Sequence, residues 1–403
     1  MSTIRNGTSA LFVSSGEPMY LFDRAGFANN IEELREAFTS YYRNTEIAYS
    51  FKTNYLKAAC LTAGKCGCYA EVVSPYEYDY AKWLGYDDDE IVFNGVIPSD
   101  KKFDVLSAGG IVNVDCLAEY DRMEELAKYH KKHIKIGIRV NFDVSGHGSR
   151  FGVDVDGEEF RAIVNRISNS EFASLGGFHN HVHGTRAVQY WIERAGVLIK
   201  LAKQYGARYI DLGGGLWGKM PESLLSQFSV RPNTYAEYGK EIGRLFADEF
   251  PDSGVKLIIE PGIGLVGSVM DCVSHVVNIK EIRGKQYVQL DINGAATAFD
   301  YNCDANRITK PFHILRTGHQ KAKHLSGADL VGTTCTEIDV LVRNFDGELA
   351  VGDTIIFENI GAYSLVTSRQ FITPRLGVYD KVTGKCLRAP ETSDDMFANY
   401  LNI

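Results

Sequence analysis

Lys52 directly follows the apolar run Ile47–Phe51. A lysine amine held partly out of water has a lowered pKa, which suits capture of a carbonyl carbon as a Schiff base; on an open loop it is only a solvated charge. The run Asp211-Leu-Gly-Gly-Gly215 lets backbone N–H groups approach an anion closely. A second glycine loop, Glu260-Pro-Gly-Ile-Gly264, ends the next strand-like run. Glu260 could cap that loop, or its carboxylate could keep a pyridine nitrogen protonated and strengthen the ring as an electron sink. His179, His181 and His183 alternate, and imidazoles two apart on one strand face could chelate a metal. No third ligand accompanies them, so one imidazole packed on a flat cofactor is the better reading. Cys335, in Gly332-Thr-Thr-Cys-Thr-Glu-Ile-Asp339, is a small hydrophobe or, near a cationic ring, a proton donor.

The elements that must position these groups alternate through the middle of the chain. Strand-like runs are Ile47–Phe51, Tyr69–Ser74, Glu90–Asn94, Ile111–Asp115, Ile134–Asn141, Leu175–His181, Tyr209–Gly213 and Leu257–Glu260. Amphipathic stretches such as 28–42 and 187–204 lie between them, the latter stopping before Gly206. About eight βα units in roughly 220 residues fit a (β/α)8 barrel. An open doubly wound sheet would place a glycine-rich turn after the first strand, and Lys-Thr-Asn stands there instead. In a barrel, the strand ends share one face. Those ends carry Lys52, Glu71, Asn94, Asp115, Arg139 with Asn141, His179 with His181, Gly213–Gly215 and Glu260. Beyond Glu260 the rhythm changes to closely spaced strand-like runs at 269–282, 285–292, 336–344 and 353–361. The expected organisation is an α/β barrel over 24–268, with a mainly β domain formed by 1–23 and 269–403.

The 403 residues carry 43 Lys+Arg against 51 Asp+Glu, a formal charge of -8, with 45% hydrophobic and 23% charged residues. That balance describes a globular chain with a full core. A pI near 5.7 argues against nucleic acid or an anionic membrane as partner. No run approaches 18 apolar residues, so no membrane span is expected. The N-terminus lacks the apolar core and cleavage site of a signal peptide. Eight cysteines without a CxxC pair argue against structural zinc or a disulfide framework. A cytoplasmic protein with reduced thiols is the expectation.

The segments YSFKTN (49–54), EVVSPYEYDYAKWLGY (71–86), RVN (139–141), SRFG (149–152), HNHVHG (179–184), DLGGG (211–215), EPG (260–262), GTTCTEID (332–339) and GAYS (361–364) occur in one order. In that order the chain resembles the fold-type III pyridoxal-phosphate decarboxylases, most of all diaminopimelate decarboxylase and more distantly ornithine decarboxylase. The resemblance runs from Met19 to about Tyr379. It implies an alanine-racemase-like barrel with a β domain, pyridoxal 5'-phosphate as cofactor, no metal, an amino-acid substrate and a homodimer with shared sites. Lys52 would carry the cofactor, with Glu71 and Arg139 beside it. Gly214, Gly215 and the loop from Gly262 to Gly264 would cradle the phosphate, and Tyr363 would add a hydroxyl. His181 would stack on the ring, with His183 as a rival because HNHVHG is one residue longer than the family's HxHxG. Glu260 would face the pyridine nitrogen, and Cys335 would reach the partner's site as proton donor.

Three departures bear on the substrate. The family's diaminopimelate enzymes carry Arg after EPG, where Ile263 stands here. They carry a second Arg in a segment matching Asp291–Tyr301, which has none, and Glu after the cysteine, where Thr336 precedes Glu337. Two lost guanidinium partners leave a distal carboxylate without pairs worth roughly 1.5–3 kcal/mol each. Ornithine-type enzymes place Asp after the cysteine, which Thr336 also lacks. The expected activity is therefore decarboxylation of an unusual or conjugated amino acid in specialised biosynthesis. The alternatives are a diaminopimelate, lysine or ornithine decarboxylase and an amino-acid racemase. Alanine racemases place Arg at the ring nitrogen, so Glu260 favours decarboxylation.

Overall fold

The computed structural model describes residues 16–252, 254–297 and 310–400. After β1 (Met19–Phe22) the chain alternates α1 (Arg24–Thr39), β2 (Thr45–Ser50), α2 (Lys57–Lys65), β3 (Tyr69–Val72), α3 (Pro75–Leu84), β4 (Ile91–Phe93), α4 (Lys101–Ala108), β5 (Ile111–Val114), α5 (Leu117–His130) and β6 (Ile134–Asn141). It continues through α6 (Glu158–Ser168), β7 (Ala173–His179), α7 (Val188–Tyr205), β8 (Tyr209–Asp211), α8 (Tyr235–Glu249) and β9 (Lys256–Ile259). Strands β2 to β9 pair in parallel in the order β5-β4-β3-β2-β9-β8-β7-β6, and β5 pairs β6 to close the ring. This is the eight-stranded barrel that the alternation predicts, and closure leaves it no unpaired edge.

Local chemistry explains the helix limits. Ser74 accepts from the Glu77 N–H and Pro75 opens α3, while Gly85 ends it at φ 94°. α7 buries Val188, Trp191, Arg194, Ala195, Leu198, Ile199 and Ala202, a stripe of helical period, and stops at Gly206 with φ 69°. One member of that apolar stripe is an arginine.

The second domain is mainly sheet. Its strands are β10 (Met270–Ile282), β11 (Lys285–Leu290), β12 (Phe312–Leu315), β13 (Lys323–Val331), β14 (Val340–Leu349), β15 (Thr354–Phe357), β16 (Gly377–Asp380) and β17 (Cys386–Arg388). They run in the order β14-β13-β11-β10-β1-β16-β17, and β15 bridges β10 and β12. β1 thus lies inside this sheet, antiparallel to β10 and parallel to β16. Tyr20 in β1 donates its hydroxyl to the Ala296 carbonyl at 2.7 Å.

The expected run 336–344 begins as a turn, and strand starts only at Val340. Asp339 is the cause. Its carboxylate accepts from the N–H groups of Gly294 and Thr334 and from the Thr334 hydroxyl, which folds the chain back on itself. No described helix is long and apolar enough to cross a membrane.

Candidate active site

Register across the barrel aligns the polar groups before any side chain is considered. Arg139 in β6 pairs with His179 in β7, which pairs with Asp211 in β8. On the other side of the ring, Ser50 in β2 pairs with Glu71 in β3. Lys52 follows β2 in a single 3-10 turn, Phe51–Thr53.

Lys52 forms an ion pair with the buried Glu71, which also accepts from the Ser50 hydroxyl. The expected lowering of the lysine pKa is not found. Burial does pull the amine down, but the Glu71 and Glu260 carboxylates more than offset it, and the net shift is upward. A sequence-local reading sees the desolvation and misses the carboxylate that parallel pairing brings from the next strand.

Glu260 directly follows β9 and is 5% exposed. Asn94 donates an amide N–H to Oε1, and His179 Nε2 lies 3.5 Å from Oε2. Burial opposes ionisation, yet His179, Lys52 and Asp211 together hold the carboxyl below its ordinary range. Asp211 moves the other way, raised by burial and by the charge on Glu260. Two carboxyls this close in a dry site cannot both ionise cheaply, and Asp211 is the one that holds its proton more tightly. It accepts from the Gly213 N–H at 2.9 Å and from Asn113 at 3.4 Å, and the Tyr209 hydroxyl holds Asn113 in turn.

The histidines separate. β7 ends at His179, so His181 lies in the following loop rather than on the same strand face. The i, i+2 chelating pair, the lesser of the two readings, therefore does not form. His179 instead joins Asp211 and Glu260, with ligand-type atoms within 4.8 Å of one another. Both ring nitrogens of His179 lack a hydrogen-bond partner and are buried. Those three residues line the barrel mouth around Glu260, where the resemblance places a ring nitrogen, so metal binding is not needed to explain them. His181 Nδ1 accepts from the Gly214 N–H at 3.0 Å. Burial, Arg194 and Lys52 push the His181 pKa well down, so its imidazole is neutral. His183 is exposed beside the Gly184 turn.

The glycines of the cradle are sterically required. A Cβ on Gly214 would lie 2.5 Å from the Glu260 carbonyl oxygen, and one on Gly262 would lie 2.0 Å from the Thr53 hydroxyl oxygen. Gly215 has φ +91° and only His181 near a built Cβ, at 3.8 Å. The two loops are tied together by the Glu260 N–H, which donates to the Gly213 carbonyl at 2.9 Å. Tyr363 comes from the sheet domain with φ 63°, and its N–H donates to the Thr53 carbonyl at 2.9 Å. Arg139 is buried, 3.6 Å from Asp115, and donates to the His181 carbonyl at 3.4 Å.

Lys52, Glu71, Arg139, His181, Gly214, Gly215, Glu260, Gly262 and Tyr363 therefore gather at one end of the barrel. Cys335 does not join them within the chain. It is exposed on the 332–339 turn, whose contacts run to Ile292, Gly294 and Asp339 in the sheet domain. Asn113, Asp211 and Arg194 were not singled out by sequence. A polar or charged residue on an otherwise apolar strand or helix face was the available signal.

This set suits pyridoxal phosphate. An amine, an ionised carboxylate, a neutral imidazole and a glycine cradle face one mouth, and the orphaned His179 nitrogens leave polar atoms for a ligand to satisfy.

The family model described as pyridoxal-dependent decarboxylase, pyridoxal binding domain, matches residues 28–267. A diaminopimelate decarboxylase of Aquifex aeolicus is 25% identical over 413 aligned residues, which cover 96% of this chain and 92% of that protein. The solved diaminopimelate decarboxylase of Methanocaldococcus jannaschii superposes with a TM-score of 0.84 at 22% identity, covering 100% of this chain and 98% of that one. That of Helicobacter pylori, complexed with L-lysine, gives 0.80 at 23% identity, covering 96% and 98%.

Proposed function

The chain belongs to the pyridoxal-dependent decarboxylases, a family of carboxy-lyases that use pyridoxal phosphate, and on that footing we propose that it decarboxylates an unusual or conjugated amino acid rather than meso-diaminopimelate. The observation that carries this reading is Ile263. It follows Glu260-Pro-Gly and packs its side chain against the hydrophobic core, so the position at which the family's diaminopimelate enzymes carry a guanidinium is aliphatic here. The stretch 291–297 also contains no arginine, while 298–301 of the matching segment lie outside the described residues. Thr336, after Cys335, shares a hydrogen bond with Thr334 at 2.9 Å. Two arginines at the mouth are stacked on aromatic rings, Arg186 over Trp217 at 4.8 Å and Arg150 over Phe151 at 4.0 Å.

When bound, pyridoxal phosphate supplies a carbonyl carbon that captures an amine and a ring that takes up the electron pair left by departing carbon dioxide. Lys52 would hold it, and Glu71 is placed to take the proton that Nζ must shed before it attacks. Glu260, kept ionised, would hold a proton on the ring nitrogen, and Asp211 steadies that carboxylate. Neutral His181, oriented by the Gly214 N–H, would give the ring a flat wall. Gly214, Gly215 and Gly262 would leave room for the phosphate, with Tyr363 alongside. Cys335 of the partner subunit, or Lys52 itself, would return a proton to the carbon that lost its carboxylate. The working unit is then a homodimer in the cytoplasm, with 24–268 as the cofactor-binding barrel and 1–23 with 269–403 as the sheet domain.

The test is carbon dioxide release by the cofactor-loaded protein. The panel holds diaminopimelate, lysine, ornithine and amino acids conjugated through their side chains to acyl, citryl or peptide groups. Release from conjugates alone supports the proposal; brisk release from diaminopimelate overturns it.

A further inference from the structure

Arg194 occupies a core position of α7 and is 0% exposed. Its Nη1 donates to the Leu212 carbonyl at 2.8 Å and to the Asn180 carbonyl at 3.3 Å. These are the residues that lead into the Gly213–Gly215 loop and into His181. Its Nε and Nη2 have no hydrogen-bond partner, although both are buried. Among the described residues it forms no ion pair; Trp191, whose ring lies 4.8 Å away, offers only a cation–π contact. The nearest carboxyls are committed elsewhere. Glu260 is held by Asn94, and Asp211 accepts from the Gly213 N–H. Burial lowers the guanidinium pKa to about 10, which leaves it charged at neutral pH.

A buried cation without a counter-ion is among the costliest arrangements in a protein interior, and an apolar side chain of the same length would serve the helix stripe better. This one sits directly behind a glycine loop that faces the barrel mouth. We propose that Arg194 is the buried counter-cation of the cofactor phosphate, acting through the loop rather than by touching it, so that the charge missing from the protein is supplied on binding. The inference rests on the proposed use of Gly213–Gly215 as the phosphate cradle. Arg194 is thus a positioning residue: it anchors the two carbonyls at the loop entrance and places a positive potential beneath the loop. In a low-dielectric interior such a charge acts over several ångströms without contact.

The experiment compares pyridoxal phosphate with pyridoxal, which keeps the aldehyde and ring but lacks the phosphate. Apo-protein is titrated with each, following the absorbance change when Lys52 captures the aldehyde. Arg194→Gln keeps hydrogen bonding to the carbonyls and removes the charge, whereas Arg194→Lys keeps the charge. The glutamine variant should lose at least about tenfold in affinity for pyridoxal phosphate and little for pyridoxal, while lysine stays within a few-fold of wild type. Arg194→Met, which needs no counter-ion, provides the same comparison if the glutamine variant does not fold. Its apo form should melt no lower than wild type, yet gain less on adding pyridoxal phosphate. Equal losses in the glutamine and lysine variants, or an unchanged preference for the phosphorylated ligand in the neutral ones, would overturn the inference. A wild-type protein that binds both ligands equally would instead overturn the cradle reading beneath it.

Discussion

The N–H of Tyr363 donates to the carbonyl of Thr53 at 2.9 Å, fastening a loop of the sheet domain to the residue beside Lys52. Next to it, the Asn54 side chain donates to the Gly361 carbonyl at 2.8 Å and accepts from the Leu56 N–H at 2.9 Å. The lysine loop is therefore held from two domains at once. Asn54 is fully buried, so Asn54→Ala leaves a buried carbonyl and a buried N–H unpaired. The expected loss is about 1–3 kcal/mol in urea unfolding, together with weaker cofactor retention. A variant that unfolds at the wild-type midpoint would show that the clasp contributes nothing.

Removing the carboxylate beside Lys52 should lower its pKa. In the native site burial pulls the amine down and Glu71 with Glu260 raises it. Glu71→Gln removes the larger opposing charge, so the amine should become free at lower pH. Competitive acylation of the apo-protein across pH, read by mass spectrometry on the Lys52 peptide, measures this. An unmoved midpoint contradicts the assignment.

Asp211 should make the protein less stable as the pH rises. Its folded pKa is raised, while an unfolded aspartate releases its proton near pH 3.9. From about pH 4 up to the folded value the native state binds the extra proton, so stability falls with rising pH through that window. Asp211→Asn has no proton to lose and retains an N–H donor toward Glu260. Relative to wild type, the variant should gain stability as the pH rises above about 4 towards the folded value in urea titrations. A difference that stays flat with pH means Asp211 is ionised in the folded protein. Glu260 has the opposite sign: its contribution is present above the ordinary carboxyl range and fades as the pH falls from that range towards the lowered folded value.

The proposed sharing of sites between subunits predicts complementation. Lys52→Ala and Cys335→Ala should each be nearly inactive in product formation, yet mixing them after dissociation should restore about a quarter of the sites, because half the dimers are mixed and each mixed dimer holds one intact site. No recovery on mixing would place Cys335 outside the partner's site.

Local pattern carried much of this molecule. The period of the apolar residues between 45 and 260 gives eight strands whose ends differ from the expected ones by at most two residues, and the strand ends name Lys52, Glu71, Arg139, Gly214 and Glu260. The sheet domain was less legible. Lys323–Val331, KHLSGADLV, buries Leu325 and then the consecutive Ala328, Asp329 and Leu330, and Phe312–Leu315 is half-buried throughout, so neither alternates cleanly. Tertiary structure alone decided the rest. Barrel closure sets the register that puts Arg139, His179 and Asp211 in one row and brings the Asp211 carboxyl beside that of Glu260, 49 positions away. The sign of the Lys52 shift and the solitary charge of Arg194 have the same origin. Strand and helix periods are properties of neighbours along the chain, whereas charge balance in a dry site depends on groups that only the closed barrel brings together.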